Sequence, residues 1–201
     1  HEIIESHKDD AATVSSFTEK SQREIKRMED VIYTLLKLAR LDAGIIQMEK
    51  AEENVSILMQ DVLERFETWA EREHKTITLS GKEDVILSCD ALWVSEAIGN
   101  IIKNALEHTE TGGHIGVEWS QSPLMTQIEI SDDGKGIHPE DLYNIFKRFY
   151  RSRFSSDVHG IGLGLPLAKS IVEAHGGTIS VTSTLDVGTT FTLNFFSLTN
   201  E

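Results

Sequence analysis

The chain has 201 residues, 39% hydrophobic and 26% charged, with 19 Lys and Arg against 33 Asp and Glu for a net charge of −14. That balance excludes a general nucleic-acid binder, which meets phosphates with basic stripes, and the composition excludes disordered and collagen-like chains. A lone cysteine, Cys89, excludes a disulfide framework and a zinc site built on several thiolates, and reads as a small buried apolar residue.

The predicted elements begin with a long amphipathic helix over residues 10 to 43, a stretch without Pro or Gly. Val14 and Phe17, then Met28, Val31, Leu35 and Leu38, recur in it at three- and four-residue steps, with Ser21 and Glu24 interrupting, a seam with coiled-coil rhythm. One helix cannot bury its own seam, so either the rest of the same chain or a second chain must cover it, and the second chain is preferred. Gly44 is placed to end the helix. Ser56 is expected to cap a second helix presenting Leu58, Val62, Phe66 and Trp69. Short strands follow near Thr76 to Leu79 and Val85 to Ser88, then a helix from about Leu92 to His108, closed by Thr111-Gly112-Gly113. Strands near Ile115 to Trp119 and Gln127 to Ile130 bracket Pro123. A short helix is expected after Pro139, then a polar stretch, a helix from Leu163 to His175, and strands near Thr178 to Thr182 and Thr190 to Phe195. Helices interleaved with strand pairs predict an α+β fold with helices on one face of a mixed sheet.

Three polar or glycine-rich clusters carry the chemistry. Asn100 and Asn104 share one helix face, and an amide oxygen is a hard neutral donor suited to Mg²⁺ that carries phosphate oxygens; two Asn bonded to nearby backbone are the simpler alternative. Asp132-Asp133-Gly134-Lys135-Gly136 follows a strand, where a carboxylate can accept from an exocyclic amine and glycines admit a flat ring, though the same residues also make ordinary turns. Gly160-Ile161-Gly162-Leu163-Gly164-Leu165 opens a helix, whose free N–H groups suit phosphate. It is not a dinucleotide fingerprint, since Leu165 stands where the third Gly should be, and Gly134-Lys135-Gly136 is not a P-loop, since it lacks the Ser or Thr after Lys.

In this order, Asn100/Asn104, Asp132/Gly134/Gly136, Phe146-Lys147-Arg148-Phe149-Tyr150-Arg151 and Gly160/Gly162/Gly164 resemble the N, G1, F and G2 boxes of sensor histidine kinases, members of the GHKL ATPase superfamily. Leu35-Leu36-Lys37-Leu38-Ala39-Arg40-Leu41-Asp42-Ala43-Gly44 looks like the end of that family's HisKA-type dimerisation helix. The resemblance implies a helical dimerisation segment over residues 1–50 and an ATP-binding domain over residues 51–201, a two-layer α/β sandwich of the GHKL, or Bergerat, type. It implies ATP and Mg²⁺ as cofactors, with Asn104 on the metal and Asp132 on the adenine amine. Gly134 and Gly136 would shape the adenine pocket. Gly160, Gly162, Leu163, Gly164 and Leu165 would meet phosphates in a lid running from about Arg151, mobile without nucleotide and anchored by Phe146, Phe149 and Tyr150. Asn100 stands where ATP-hydrolysing relatives carry a water-activating Glu, which favours transfer over hydrolysis, and Arg151 or Arg153 could neutralise phosphate charge. Glu107 stands where many of these kinases have a Lys, so that neutralisation must come from elsewhere.

The phosphoacceptor box is represented by His1-Glu2-Ile3, which would make His1 the acceptor and Glu2 its neighbour. The box's proline and the first helix of the usual hairpin do not follow between Ile3 and about Asp9. The implied activity is that of an ATP-dependent protein-histidine kinase, the core of a two-component sensor that passes phosphoryl from ATP to His and then to the receiver domain of a response regulator. The implied setting is a cytoplasmic homodimer, joined to a bacterial membrane only through a sensor region outside these residues and binding no nucleic acid. Two other readings stand beside it: a GHKL serine kinase of the anti-sigma type, and a nucleotide-responsive interaction module without phosphotransfer.

Overall fold

The computed structural model describes residues 11–152 and 160–197. Helix α1 (Ala11–Asp42) matches the expected long helix and ends where Gly44 takes φ +62°, letting Ile45 N–H reach back to the Arg40 carbonyl at 3.1 Å. The predicted seam divides. Val31, Leu35 and Leu38 pack on the rest of the chain, with Leu38 fully buried, while Met28 belongs to a separate exposed stripe with Ile25, Ile32 and Leu36. Apolar residues cover more of the circumference than one seam needs, so the helix has two apolar faces and its own chain covers one. The Lys37 ammonium strengthens this dock, bonding Glu96 at 2.5 Å and lying over the Trp93 ring.

Strand β1 (Ala51–Asn54) runs antiparallel to β3 (Ile86–Cys89). Its last residue, Asn54, caps α2 (Val55–Glu64) by accepting from Ile57 N–H at 3.1 Å, so Asn54 rather than Ser56 starts this helix. The Val55 N–H is already held by the Val85 carbonyl, which fixes the turn one step earlier than predicted. The expected apolar face breaks at Phe66, and Trp69 sits on a separate short helix, α3 (Glu67–Arg72).

Strand β2 (Thr76–Gly81) does not pair with β3; it lies parallel to β4 (His114–Gln121). With β5 (Met125–Asp132), β7 (Gly188–Phe196) and β6 (Thr178–Thr184) they form a five-stranded mixed sheet in the order β2-β4-β5-β7-β6. The register lines up Val117, Ile130, Phe191 and Val181, and two residues along, Trp119, Ile128, Leu193 and Ile179. These rows make one apolar face. Helices α4 (Ala91–His108) and α5 (Gly164–Ala174) cover it with Ala97, Ile98, Ile101, Ala105, Leu167 and Ile171, all buried. The predicted α+β sandwich with helices on one face is the observed architecture. No helix forms after Pro139: residues 138–147 run through successive tight turns, such as Asn144 N–H to the Asp141 carbonyl at 2.7 Å.

The loop between α1 and β1 is tied down at the end of the sandwich. Asp90 Oδ2 accepts from Glu49 N–H at 3.0 Å, and Lys50 Nζ reaches the His175 carbonyl. Buried His175 accepts from the Asp90 N–H through Nε2 and presents Nδ1–H to the Ile171 carbonyl, against the edge of Phe195. Burial first, and then the Lys50 charge, hold its pKa below the ordinary 6.5. The unfolded chain therefore takes up this proton before the folded one does, and stability attributable to His175 is complete above pH 6.5 and declines as pH falls through it. Urea midpoints between pH 7 and pH 5 should fall further for the wild-type chain than for His175→Gln; parallel pH profiles would contradict the neutral, buried imidazole.

Candidate nucleotide-binding site

Helix α4 sets up the first wall. Asp90 caps it, accepting from Trp93 N–H, and its apolar residues lie against the sheet, which leaves Asn100 and Asn104 on the side away from the core. The two amides behave differently. Asn100 Nδ2 donates to the Glu96 carbonyl at 2.9 Å, the ordinary backbone-bonded arrangement. Half-buried Asn104 has no hydrogen-bond partner among the described residues, and it lines a cleft of about 900 Å³.

Across that cleft lie residues 160–165, Tyr150 and Arg151. Gly162 takes φ +73° and its carbonyl accepts from Phe149 N–H at 2.9 Å; a Cβ there would stand 2.5 Å from the Tyr150 carbonyl oxygen, so only glycine fits. Gly164 opens α5 directly against Asn100 Oδ1, which joins the first and last clusters. Phe146 is anchored edge-on to Phe191 at 6.3 Å, and the Tyr150 hydroxyl donates to Asp141 Oδ1 at 2.6 Å. Phe149 is 56% exposed, so its backbone is held and its ring is not, contrary to the expected anchoring role.

Asp132, Gly134 and Gly136 stand beside the cleft and do not form its wall. Half-buried Asp132 closes strand β5, where Oδ1 accepts from Gly134 N–H at 3.0 Å. Burial raises its pKa, partly offset by that N–H and by the nearby His108. Gly134 packs on the His108 carbonyl, where a Cβ would come to 2.5 Å, and His108 itself lines the cleft. Gly136 takes φ +66° against the Thr184 carbonyl. Asp133 accepts from His114 N–H, a turn-forming role. His1 and Glu2, and Arg153 with the rest of residues 153–159, lie outside the described residues.

A further wall was not foreseen. Arg23, Lys26, Arg27, Asp30 and Val31 of α1 border the cleft, as do Trp69, Arg72 and Glu73. The visible signal was Lys26 and Arg27 three and four residues, about one helical turn, after Arg23, which without tertiary contacts reads as a solvated surface.

An unpaired amide facing a glycine-rich helix start across a cleft, beside a half-buried carboxylate at a strand end, is an arrangement suited to a nucleotide and its metal. The Asn104 amide offers one hard, neutral oxygen of the kind Mg²⁺ accepts beside phosphate oxygens, and no group of three or more His, Cys, Asp or Glu side chains converges among the described residues. The Histidine kinase-, DNA gyrase B-, and HSP90-like ATPase family matches residues 89–200, and the chain belongs to that family. The sensor protein IrlS of Burkholderia pseudomallei is 37% identical over 180 residues, covering 88% of this chain and 38% of that protein. The chain thus spans about a third of the length of its curated relatives, which also include the sensor protein kinase PmrB of Pseudomonas aeruginosa, 32% identical over 79% of this chain and 33% of that protein. Among solved structures, full-length ShkA in complex with AMPPNP superposes with TM-score 0.81 at 22% identity, over 93% of this chain and 40% of that one. The histidine kinase ThkA in complex with the response regulator protein TrrA gives 0.77 at 21%, over 96% and 54%. At those identities the two structures establish the fold. The chain is therefore an ATPase-family domain of the sensor histidine kinase kind, and among its described residues no helix is long and apolar enough to cross a membrane.

Proposed function

We propose that the chain is the kinase core of a two-component sensor, in which residues 1–50 belong to the dimerisation segment and residues 51–201 bind ATP. The γ-phosphoryl passes to a histidine nitrogen, ADP leaves, and an aspartate of a response-regulator receiver domain takes the phosphoryl next. The observation that carries this reading is Asn104: a half-buried amide without a partner, aimed into the cleft opposite residues 160–165. Asp132 accepts from the adenine amine, and Gly134 and Gly136 shape the turn beside it by packing on the His108 and Thr184 carbonyls. Asn104 would hold Mg²⁺, which when bound neutralises phosphate charge. Asn100, committed to the Glu96 carbonyl and set against Gly164, supplies no carboxylate to activate water. The exposed stripe of Ile25, Met28, Ile32 and Leu36 offers a second copy of the chain a surface for helix pairing, and a membrane sensor region outside these residues would supply the signal.

The relatives' names and the AMPPNP and TrrA complexes support ATP, a histidine and a receiver domain as the reaction's parts. The test is incubation with γ-labelled ATP. Acid-labile label on a histidine, chased onto a receiver domain, is the expected result. Acid-stable label would point to a serine kinase, and nucleotide binding with no label to an interaction module. Asn104→Ala should remove the Mg²⁺-dependent part of ATP affinity and leave metal-free binding in place; equal affinities with and without Mg²⁺ in the wild-type chain would overturn the metal assignment.

A further inference from the structure

Charge is distributed over the cleft in the opposite sense to the chain. In a molecule of net charge −14, six Lys and Arg line this one cleft against three Asp and Glu. Each of the three acids is already matched. Asp30 faces Lys26 at 4.0 Å, Glu73 bonds Lys75 and approaches Arg72 at 3.7 Å, and Glu107 pairs with Lys103 at 3.8 Å. Arg23 and Arg27 have no carboxylate partner among the described residues, yet they stand one turn apart on the same face of α1, where like charges repel. Two guanidinium groups so placed, facing a glycine-rich helix start that also favours anions, form a receptor for a multiply charged anion. The Glu107–Lys103 pair contributes no net charge, so the position from which the resemblance would bring a lysine does not serve that purpose here.

We infer that Arg23 and Arg27 of helix α1 bind the polyphosphate tail of the nucleotide, so that the site is completed by the same helix that docks through Leu38. This rests on the ATP reading proposed above and adds to it a specific source of phosphate recognition. The nucleotide's affinity then depends on where α1 lies, and by linkage a bound triphosphate favours the docked helix. Discrimination should increase with the number of phosphates, since the arginines meet the tail and not the base.

The test measures Mg²⁺-nucleotide affinity by calorimetry at low salt, with ATP, ADP and AMP as probes, on the chain and on an Arg23→Gln/Arg27→Gln double variant. ATP affinity should fall about tenfold, ADP less, and AMP hardly at all, as for loss of charge-assisted bonds to the outer phosphates. The salt dependence of ATP binding should flatten in the variant, and Arg23→Lys/Arg27→Lys should recover part of the affinity. Lys82→Gln, an exposed charge on the turn after β2 that is no part of the cleft, should leave ATP affinity unchanged. ATP affinity within twofold of the wild type in the double variant would overturn the inference, as would an equal loss for AMP, which would mean a general structural effect. If the wild-type chain binds no ATP, the proposed function falls along with it; if it binds ATP and the arginines prove silent, only this inference falls.

Discussion

Asp132→Asn is expected to weaken ATP binding by about 10- to 100-fold, on the order of the 1.5 to 3 kcal/mol that a hydrogen bond to a charged acceptor contributes. The carboxylate is fixed by the Gly134 N–H at the end of strand β5, and burial has already removed part of its hydration, so a purine amine would meet an acceptor with little water left to displace. The same burial raises its pKa, which gives the binding a pH dependence. Affinity is full above the raised pKa and declines as pH falls through it, because the protonated carboxyl no longer offers a charge. Calorimetry on the variant at neutral pH decides the matter: unchanged ATP affinity would remove Asp132 from the site.

Leu38→Ala should destabilise the docked chain by about 2 to 5 kcal/mol, the range for removing a buried leucine, whereas Leu36→Ala, two residues away on the exposed stripe, should cost the monomeric chain no more than about 0.5 kcal/mol. Leu38 is fully buried between α1 and the sandwich, and Leu36 is 49% exposed. Urea unfolding of the two variants side by side provides the comparison. Equal midpoint shifts would mean that the helix does not dock through the face described.

Much of this architecture could be read from the chain because the periodicities are strong. Helix α1 has no Pro or Gly over its length, α4 and α5 have clear apolar faces, and β4, β5 and β7 alternate. Strand β1 was not legible: Ala51-Glu52-Glu53-Asn54 has no β-forming residue, and it is extended only because β3 pairs with it. The β2–β3 turn invited a hairpin, but β2 found a parallel partner in β4, a long-range preference that local turn chemistry cannot express. In the site, amide spacing and glycine placement singled out Asn104 and residues 160–165, which the fold brings to one cleft, and the structure alone separated Asn100, which bonds backbone, from Asn104, which does not. Arg23 and Arg27 come to line the cleft through tertiary structure, and in the sequence their one-turn spacing reads only as a solvated helix face.

The geometry of α1 gives it mechanical gain. Its 32 residues span about 48 Å at 1.5 Å per residue, and Leu38, the deepest point of its dock, lies close to one end. Arg23 is about 22 Å up the rod from that fulcrum, so a tilt of about 10° at Leu38 would carry it about 4 Å, more than the reach of a hydrogen bond. A rotation too small to disturb the buried leucine's packing would thus be a full stroke at the arginines. The helix is a long-armed lever, and force applied along its upper turns would be delivered at the mouth of the cleft.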